Sequence, residues 1–498
     1  MSKQVSFTKE KVLEGLRIAA KAVGDTIGPR GQNTFMGGGI PRITNDGFTV
    51  ATAILFEDPE IDLGAYIVRN VTGQQNDDVG DGTTTVSILT ASIIEESLKR
   101  PENPVLIKDS LKEAGDKILK QLAKTSIKIE QKDVEKVALI SSENKNLARI
   151  ISEITGKLGE KAVINVEDSK TFATEYEITD GFEVKLGFLS PAFITEKKSA
   201  RAIYTDVPVL CVEKKISNIA EIAPIFKMFE EEKINSCVIV CDEIDDSMLG
   251  ILAMNKQLGR FNSVVIRASA MFLDDIAGYV GAKKISNTTG VGFHNFKKED
   301  LGFAKKVVSD ANKSLFIGNG FSHKEYVKEL QAKTDGEPNI YTRENMQKRV
   351  HKLSGGIAVL KIGAPTDFER EYLKYKAEDA VKAVKSALEE GVVEGGGMAF
   401  YRLSHFVPKT IGEEILKKSL TAPFRRIVEN AGQDYAEIVK NLPDKMGYDA
   451  KKNCFVEMIK EGIIDPAKVE RCALENAVSA ASTFITTSCF ITDVPEKK

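Results

Sequence analysis

Gly80-Asp81-Gly82-Thr83-Thr84-Thr85 is the stretch on which the reading of this chain turns. Val86, Leu89 and Ile93 follow at three- and four-residue spacing through Leu98, so a tight glycine turn feeds directly into a helix. Small glycines let a backbone approach a ligand closely, and helix N-terminal amides with Thr hydroxyls donate to anionic oxygens. The hexapeptide thus has the parts of a phosphate cradle, with Asp81 placed to hold a magnesium ion against the phosphates. It reads equally well as a glycine turn ahead of a Thr-capped helix. There is no GxxxxGK[ST], which excludes a P-loop, and no complete GxGxxG supports a dinucleotide fold.

Upstream of this stretch, Val12, Leu16, Ala19, Ala20 and Val23 predict a helix from Lys9 to about Thr26, broken by Gly28-Pro29-Arg30-Gly31. Residues 47–53 read as extended up to the turn Asp58-Pro59, and residues 61–75 as helix again. Downstream, an amphipathic helix is expected over 104–123 and a short strand over 162–166. Between Thr179 and Ile357 the texture changes: apolar runs at 207–212, 237–241, 263–266 and 315–317 alternate with helices at 219–231 and 246–258, as in an α/β unit. Helices return at 367–390, 412–431 and 466–486. Like-textured helical ends around a different middle predict a discontinuous helical domain with another domain inserted.

The length of 498 residues implies roughly three folding units. With 42% hydrophobic and 28% charged residues the chain is globular, and 69 Lys+Arg against 72 Asp+Glu leave a net charge of -3, so no overall field marks a nucleic-acid binder. Six cysteines without a CxxC pair fit reduced thiols, and four separated histidines offer no His/Cys zinc spacing. The N-terminus lacks an apolar signal region and no run approaches a membrane-spanning length. A cytoplasmic protein without nucleic-acid or membrane partners is expected.

Three further features carry chemistry. Gly395-Gly396-Gly397 follows Val392-Val393 and reads either as close backbone approach to a ligand or as a flexible loop or helix cap. Asp46 lies in the turn Thr44-Asn45-Asp46-Gly47. Asp379 lies off the apolar stripe Ala380, Val381, Val384 and Leu388 of its helix. Either carboxylate could orient or deprotonate a water in a cleft, or simply be solvated.

The ordered set Asp25-Thr26-Ile27-Gly28-Pro29-Arg30-Gly31, Ile43-Thr44-Asn45-Asp46-Gly47, Gly80 to Thr85, Glu390-Gly391-Val392-Val393-Glu394-Gly395-Gly396-Gly397 and Gly462-Ile463-Ile464-Asp465-Pro466 resembles the group I chaperonins, of GroEL type, over essentially the whole chain. Leu189-Ser190-Pro191, Lys214 to Ile219 and Gly355 to Val359 extend the likeness. The resemblance implies a multi-domain GroEL-like chaperonin fold. Its parts are a discontinuous, mostly helical equatorial ATP-binding domain (1–123 and 390–498), a small α/β intermediate domain (124–179 and 358–389) and an α/β apical polypeptide-binding domain (180–357).

It further implies an ATPase whose nucleotide lies on Thr26, Ile27, Gly28 and Pro29. Asp81 carries magnesium, Gly82, Thr83, Thr84 and Thr85 meet the phosphates, and Ser141, Gly396, Asp449, Ile463 and Asp465 complete the purine and ribose side. Asp379 positions the hydrolytic water and Asp46 assists. Phe188, Phe193, Phe226, Leu249 and Met254 are implied to be exposed and to bind non-native polypeptides by burial of apolar surface. The implied assembly is a homo-oligomer of seven-membered rings, with a GroES-type co-chaperonin lid as a further partner and potassium as a further cofactor.

The chain departs from the family in places. Asn45 stands where the family has Lys, removing a positive charge near the triphosphate, so altered potassium dependence is expected. Asp449 replaces an Asn and loses an amide donor. Ala192, Ala223 and Ala253 replace larger apolar residues, which thins the capture surface. The chain ends without a Gly/Met-rich tail and is shortened around 268–275, 404–412 and 440–447, as expected of a compact, divergent member. The function expected is an ATP-dependent chaperone that folds non-native chains in a ring. Its rival is a ring-forming scaffold or decoy subunit that keeps ATPase without productive folding.

Overall fold

The structure is a computed structural model and describes residues 3–37, 42–159, 162–197, 199–318 and 323–493. Residues 494–498, where the expected absence of a Gly/Met-rich tail falls, lie outside the described residues. The chain forms two compact units, one of Met1–Glu160 with Ala364–Lys498 and one of Lys161–Gly363, so the second is inserted into the first. The strands Val163–Asp168 and Gly356–Ile362 belong to the inserted unit.

The first unit is helical. In Glu10–Gly24 the positions Val12, Leu16, Ala19 and Val23 are fully buried, as their spacing predicts. This helix lies tightly on Pro59–Asp78 because glycines face backbone: a Cβ on Gly15 would stand 1.8 Å from the Ile61 carbonyl oxygen, and one on Gly64 1.9 Å from that of Val12. The helices Thr83–Leu98, Pro104–Thr125 and Ala467–Thr486 complete the core through Leu89, Ile93, Leu111, Leu474 and Ala477. Asp367–Glu390 packs beside Gln131–Ser142.

Two expectations are corrected here. Residues 47–53, read as extended, form the helix Gly47–Ala53, because the Asp46 carboxylate accepts the Thr49 N–H at 2.7 Å and caps it; that local bond outweighs the strand preference of Phe48, Thr49 and Val50. The helix expected over 412–431 is two, Ile411–Ser419 and Ala422–Asn430. Pro423 sits in the first turn of the second, where a missing N–H is tolerated; inside one continuous helix it would have broken the ladder.

The inserted unit is built on an eight-stranded mixed sheet in the order 163–168, 356–362, 175–184, 314–317, 302–309, 202–212, 236–241, 262–267. Strands 202–212, 236–241 and 262–267 are parallel, and Cys237 to Cys241 are all buried, the mark of a strand covered on both faces. The intervening helices Ile219–Glu231 and Asp246–Gln257 are right-handed crossovers in that run and therefore lie on one face of the sheet. Phe182 packs against Tyr279 and Phe316 at ring separations of 4.7 and 5.6 Å near the centre of the core.

Phe193, expected at the exposed polypeptide-binding surface, is 0% exposed and belongs to this core. Ser190 caps the short turn Pro191–Phe193 by accepting the Ala192 N–H at 3.3 Å, and the turn directs Phe193 inward. Phe193→Ala should therefore cost about 3–5 kcal/mol of stability through the cavity it leaves. The midpoint of urea unfolding checks this, and an unchanged midpoint would return Phe193 to the surface.

Candidate functional site

Four segments of the helical unit converge on the start of the helix Thr83–Leu98. Gly80 and Gly82 adopt φ of +71° and +73°, a region that favours glycine. A Cβ on Gly80 would stand 1.8 Å from Lys382 Cδ, and one on Gly82 2.7 Å from Val469 Cγ1, so a side chain at either would have to displace its neighbour. Asp81 is held at both ends: its Oδ1 accepts the Gly82 N–H at 2.6 Å, and its carbonyl accepts from Gln75 Nε2 at 2.9 Å. No side chain caps the helix that begins at Thr83, which leaves its first-turn amides for a ligand.

The turn at Asp46-Gly47 lies against these threonines, since a Cβ on Gly47 would be 2.3 Å from Thr84 Oγ1 and 3.0 Å from Thr83 Oγ1. The loop after Glu10–Gly24 joins them through Thr26, whose Oγ1 donates to the Val23 carbonyl at 2.7 Å and lies 3.3 Å from Thr84 Oγ1. Asn430 fixes this loop by donating from Nδ2 to the carbonyls of Gly24, Asp25 and Ile27 at 3.0, 3.3 and 3.0 Å. Gly28 takes φ +82°, and Pro29 is exposed at the rim.

Asp379, from Asp367–Glu390, faces the same place. Burial holds its carboxyl well above the usual range, and the neighbouring carboxylates of Asp81 and Asp46 push it further up, against a smaller pull from Lys382 and Lys376. Asp81 is raised by burial in the same way, with Asp46 adding to it and Lys376 and Lys382 opposing. Both aspartates keep part of their surface in solvent, so the recess is open on one side. Among the described residues no three carboxylate, His or Cys groups are close enough to hold a metal by themselves. A magnesium ion fits here in its usual manner, on one carboxylate with phosphate oxygens and water completing the shell, and Asp81 is the group placed to supply that carboxylate.

On the other flank, Gly396 has φ +65° and donates its N–H to the Asp465 carboxylate, which burial and the Asp81 charge raise. Ile463 and Ile27 pack on one apolar cluster with Met398, Phe424 and Ile427. Ser141 lies near the end of Gln131–Ser142, a helix in contact with the strand Ile464–Pro466. Asp449 turns onto its own loop: Oδ1 accepts the N–H groups of Lys451 and Lys452 at 2.9 and 3.1 Å. Lys376, Lys382, Asn430 and Glu470 were missed by sequence reasoning. The two lysines had a signal, standing three residues either side of Asp379 and hence on its helix face. Asn430 and Glu470 had none.

In the inserted unit the crossover helix Asp246–Gln257 carries apolar residues on its outer side. On Asp246–Gln257, Met248 and Leu252 point into the core, whereas Ile251 and Met254, with Leu258 just beyond the helix end, lie outside at three- and four-residue spacing. Met254 is 61% exposed. Phe188, Phe226 and Leu249 are half-buried on the core, Phe226 edge-on to Phe229 and Phe261. Ile219 and Leu258 are exposed apolar residues absent from the expected set.

Because folding keeps protons on Asp379 that the unfolded chain releases above its ordinary value of 3.8, its contribution to stability falls as pH rises through the window between 3.8 and its raised folded value. Asp379→Asn removes that penalty. The stability gain of Asp379→Asn over wild type should grow as pH is raised from below 3.8, as read by paired urea titrations across pH; a gain independent of pH would contradict the crowding of these carboxyls.

Comparison with known proteins places this geometry. The structure matches the chaperonin gp146 of bacteriophage EL 2 (Pseudomonas aeruginosa), crystallised in the presence of ATP-BeFx, in two crystal forms. In form II the TM-score is 0.71 at 19% identity, covering 98% of each chain. In form I it is 0.67 at 18% identity, covering 98% of this chain and 99% of the other. The family model described as the TCP-1/cpn60 chaperonin family matches residues 19–495. With that match over nearly its whole length and a GroEL-like fold, the chain belongs to the TCP-1/cpn60 chaperonin family.

Proposed function

We propose that this chain is an ATP-hydrolysing chaperonin subunit that captures non-native polypeptides and promotes their folding within a ring. The observation that carries the reading is the meeting of Asp81, Asp379 and Asp46 beside the uncapped first turn of Thr83–Leu98. The amides and hydroxyls of Gly82, Thr83, Thr84 and Thr85 bind the phosphates, and Thr26, Ile27, Gly28 and Pro29 line the adjoining wall. Asp81 holds the magnesium ion, which when bound offsets phosphate charge and satisfies the surrounding carboxylates. Asp379, a carboxyl of raised basicity, orients the attacking water and accepts its proton, with Asp46 assisting. Ser141, Gly396, Ile463 and Asp465 take the sugar and base side, and Asp449 contributes an acceptor there.

Ring assembly is supported by two exposed ribbons. Lys3–Ser6 pairs with Phe490–Asp493, and Thr34–Met36 with Arg42–Thr44, each a two-stranded sheet among the described residues. Val5 and Ile491 on the first, with Phe7 just beyond its end, and Phe35 and Ile43 on the second, are exposed. Two-stranded ribbons are marginal alone and their free edges seek partners, so these are the contacts we assign to neighbouring subunits. Seven-membered rings, a GroES-type lid, potassium as a further cofactor and the division into equatorial (1–123, 390–498), intermediate (124–179, 358–389) and apical (180–357) domains follow the family pattern. No helix among the described residues is long and apolar enough to cross a membrane, and we place the protein in the cytoplasm.

Capture falls to Met254, Leu249, Phe226 and Phe188, joined by Ile251, Leu258 and Ile219; Phe193 supports them from the core.

Asp379→Asn should keep Mg-ATP binding within a few-fold and slow hydrolysis by about 10²- to 10⁴-fold. Single-turnover assays beside equilibrium titration check this, and wild-type turnover by the variant would remove Asp379 from the site. Refolding of a denatured test enzyme, with and without a lid protein, should require ATP and fail with Asp379→Asn. Capture without recovery under every condition would favour the scaffold reading.

Met254→Ser with Leu258→Ser should weaken capture of a denatured client by roughly five- to tenfold while ATPase stays at the wild-type rate, in line with about 1 kcal/mol of burial lost. Gel filtration of labelled client measures it; unaltered capture would move the client surface elsewhere.

A further inference from the structure

Glu470 is the least expected polar group of the helical unit. It stands in the first turn of Ala467–Thr486, is only 5% exposed, and its Oε2 accepts no N–H or hydroxyl donor. Its carboxyl hydrogen-bonds that of Asp465. Two carboxyls share such a bond only if one carries the proton, and burial together with the Asp465 charge keeps it on Glu470. Glu470 therefore donates and Asp465 accepts.

Asp465 accepts a second bond from the Gly396 N–H and sits in the three-residue strand Ile464–Pro466, opposite Val393. Donors from two segments thus fix its carboxylate, while part of the side chain stays exposed. An unpaired buried oxygen carries its full desolvation penalty, and an apolar residue of similar size would remove it. Stability therefore gives no reason for a carboxyl at 470; a task at Asp465 does.

We propose that Glu470 is a positioning residue whose carboxyl O–H sets the Asp465 carboxylate to accept the vicinal hydroxyls of a ribonucleotide, and so sets the preference for ribose over 2′-deoxyribose. The inference rests on the nucleotide site proposed above. Gln75 ties the same corner to the phosphate side, donating to the carbonyls of Asp81 and Val469 at 2.9 and 3.1 Å, so the sugar and phosphate subsites share one rigid support.

The test is calorimetric titration of the full-length protein with Mg-ATP and Mg-2′-deoxy-ATP, beside thermal unfolding. Glu470→Leu should lower ATP affinity about tenfold, the size of one charge-assisted hydrogen bond, leave 2′-deoxy-ATP nearly unaffected, and unfold at the wild-type temperature or above. Glu470→Gln, which keeps an N–H donor, should restore the preference for ATP. If Glu470→Leu does not fold, Glu470→Met, which also lacks a donor, carries the same comparison. A wild-type ratio of the two affinities in the variant that lacks a donor at 470 would overturn the proposal and leave the nucleotide site standing. Failure of the wild-type protein to bind either nucleotide would overturn both.

Discussion

Like charges held together govern the helical unit. Asp46, Asp81, Asp379 and Asp465 come from four separate stretches of chain, and each of the last three is pushed above its ordinary pKa by burial and by carboxylate neighbours. Lys376 and Lys382 offset only part of that repulsion. A fold that gathers carboxyls in this way without a cation or a proton between them is under electrostatic strain. The packing that enforces it is glycine-dependent: Gly80 fits beneath Lys382, Gly82 beside Val469, and Gly47 over Thr84. A side chain at these positions would push these neighbours aside, and at Gly80 and Gly82 it would also meet a positive φ that favours glycine.

The inserted unit solves an opposite problem. Its parallel strands are apolar on both faces and must be covered, which on one face the crossover helices do with Ile222, Ile225, Met248 and Leu252. Their outward faces are then free of any packing duty, and Ile251 and Met254 are exposed there without support from the core, with Leu258 beside them. Exposed apolar surface of this kind reads no sequence and suits any unfolded chain. A single helix such as Asp246–Gln257 thus closes the core on one side and offers a sticky face on the other.

The carboxylate recess and the exposed apolar face belong to different compact units, each with its own core. The helical unit concentrates charge around a rigid glycine-rich recess, and the inserted unit concentrates apolar surface.

The amino-acid sequence by itself determined the helical ends, the α/β insertion and the nucleotide-site motifs, because 3.6-residue periodicity, continuous apolar strands and glycine turns are local signals. It also placed Asp379 off its apolar stripe. Its local signals misread residues 47–53, where strand propensity yielded to the Asp46 cap, and 412–431, where Pro423 divides the helix. Its likeness to a family misassigned Phe193, because facing outward or inward depends on how the turn Pro191–Phe193 meets the sheet. Tertiary structure alone decided that Lys382 closes over Gly80, that Asn430 holds the carbonyls of a loop some 400 residues away in sequence, and that Glu470 lies buried against Asp465. The first two pairs are made by chain segments meeting across the core, which no spacing along the sequence encodes; the third joins residues of one stretch, and only the packing over it decides its burial.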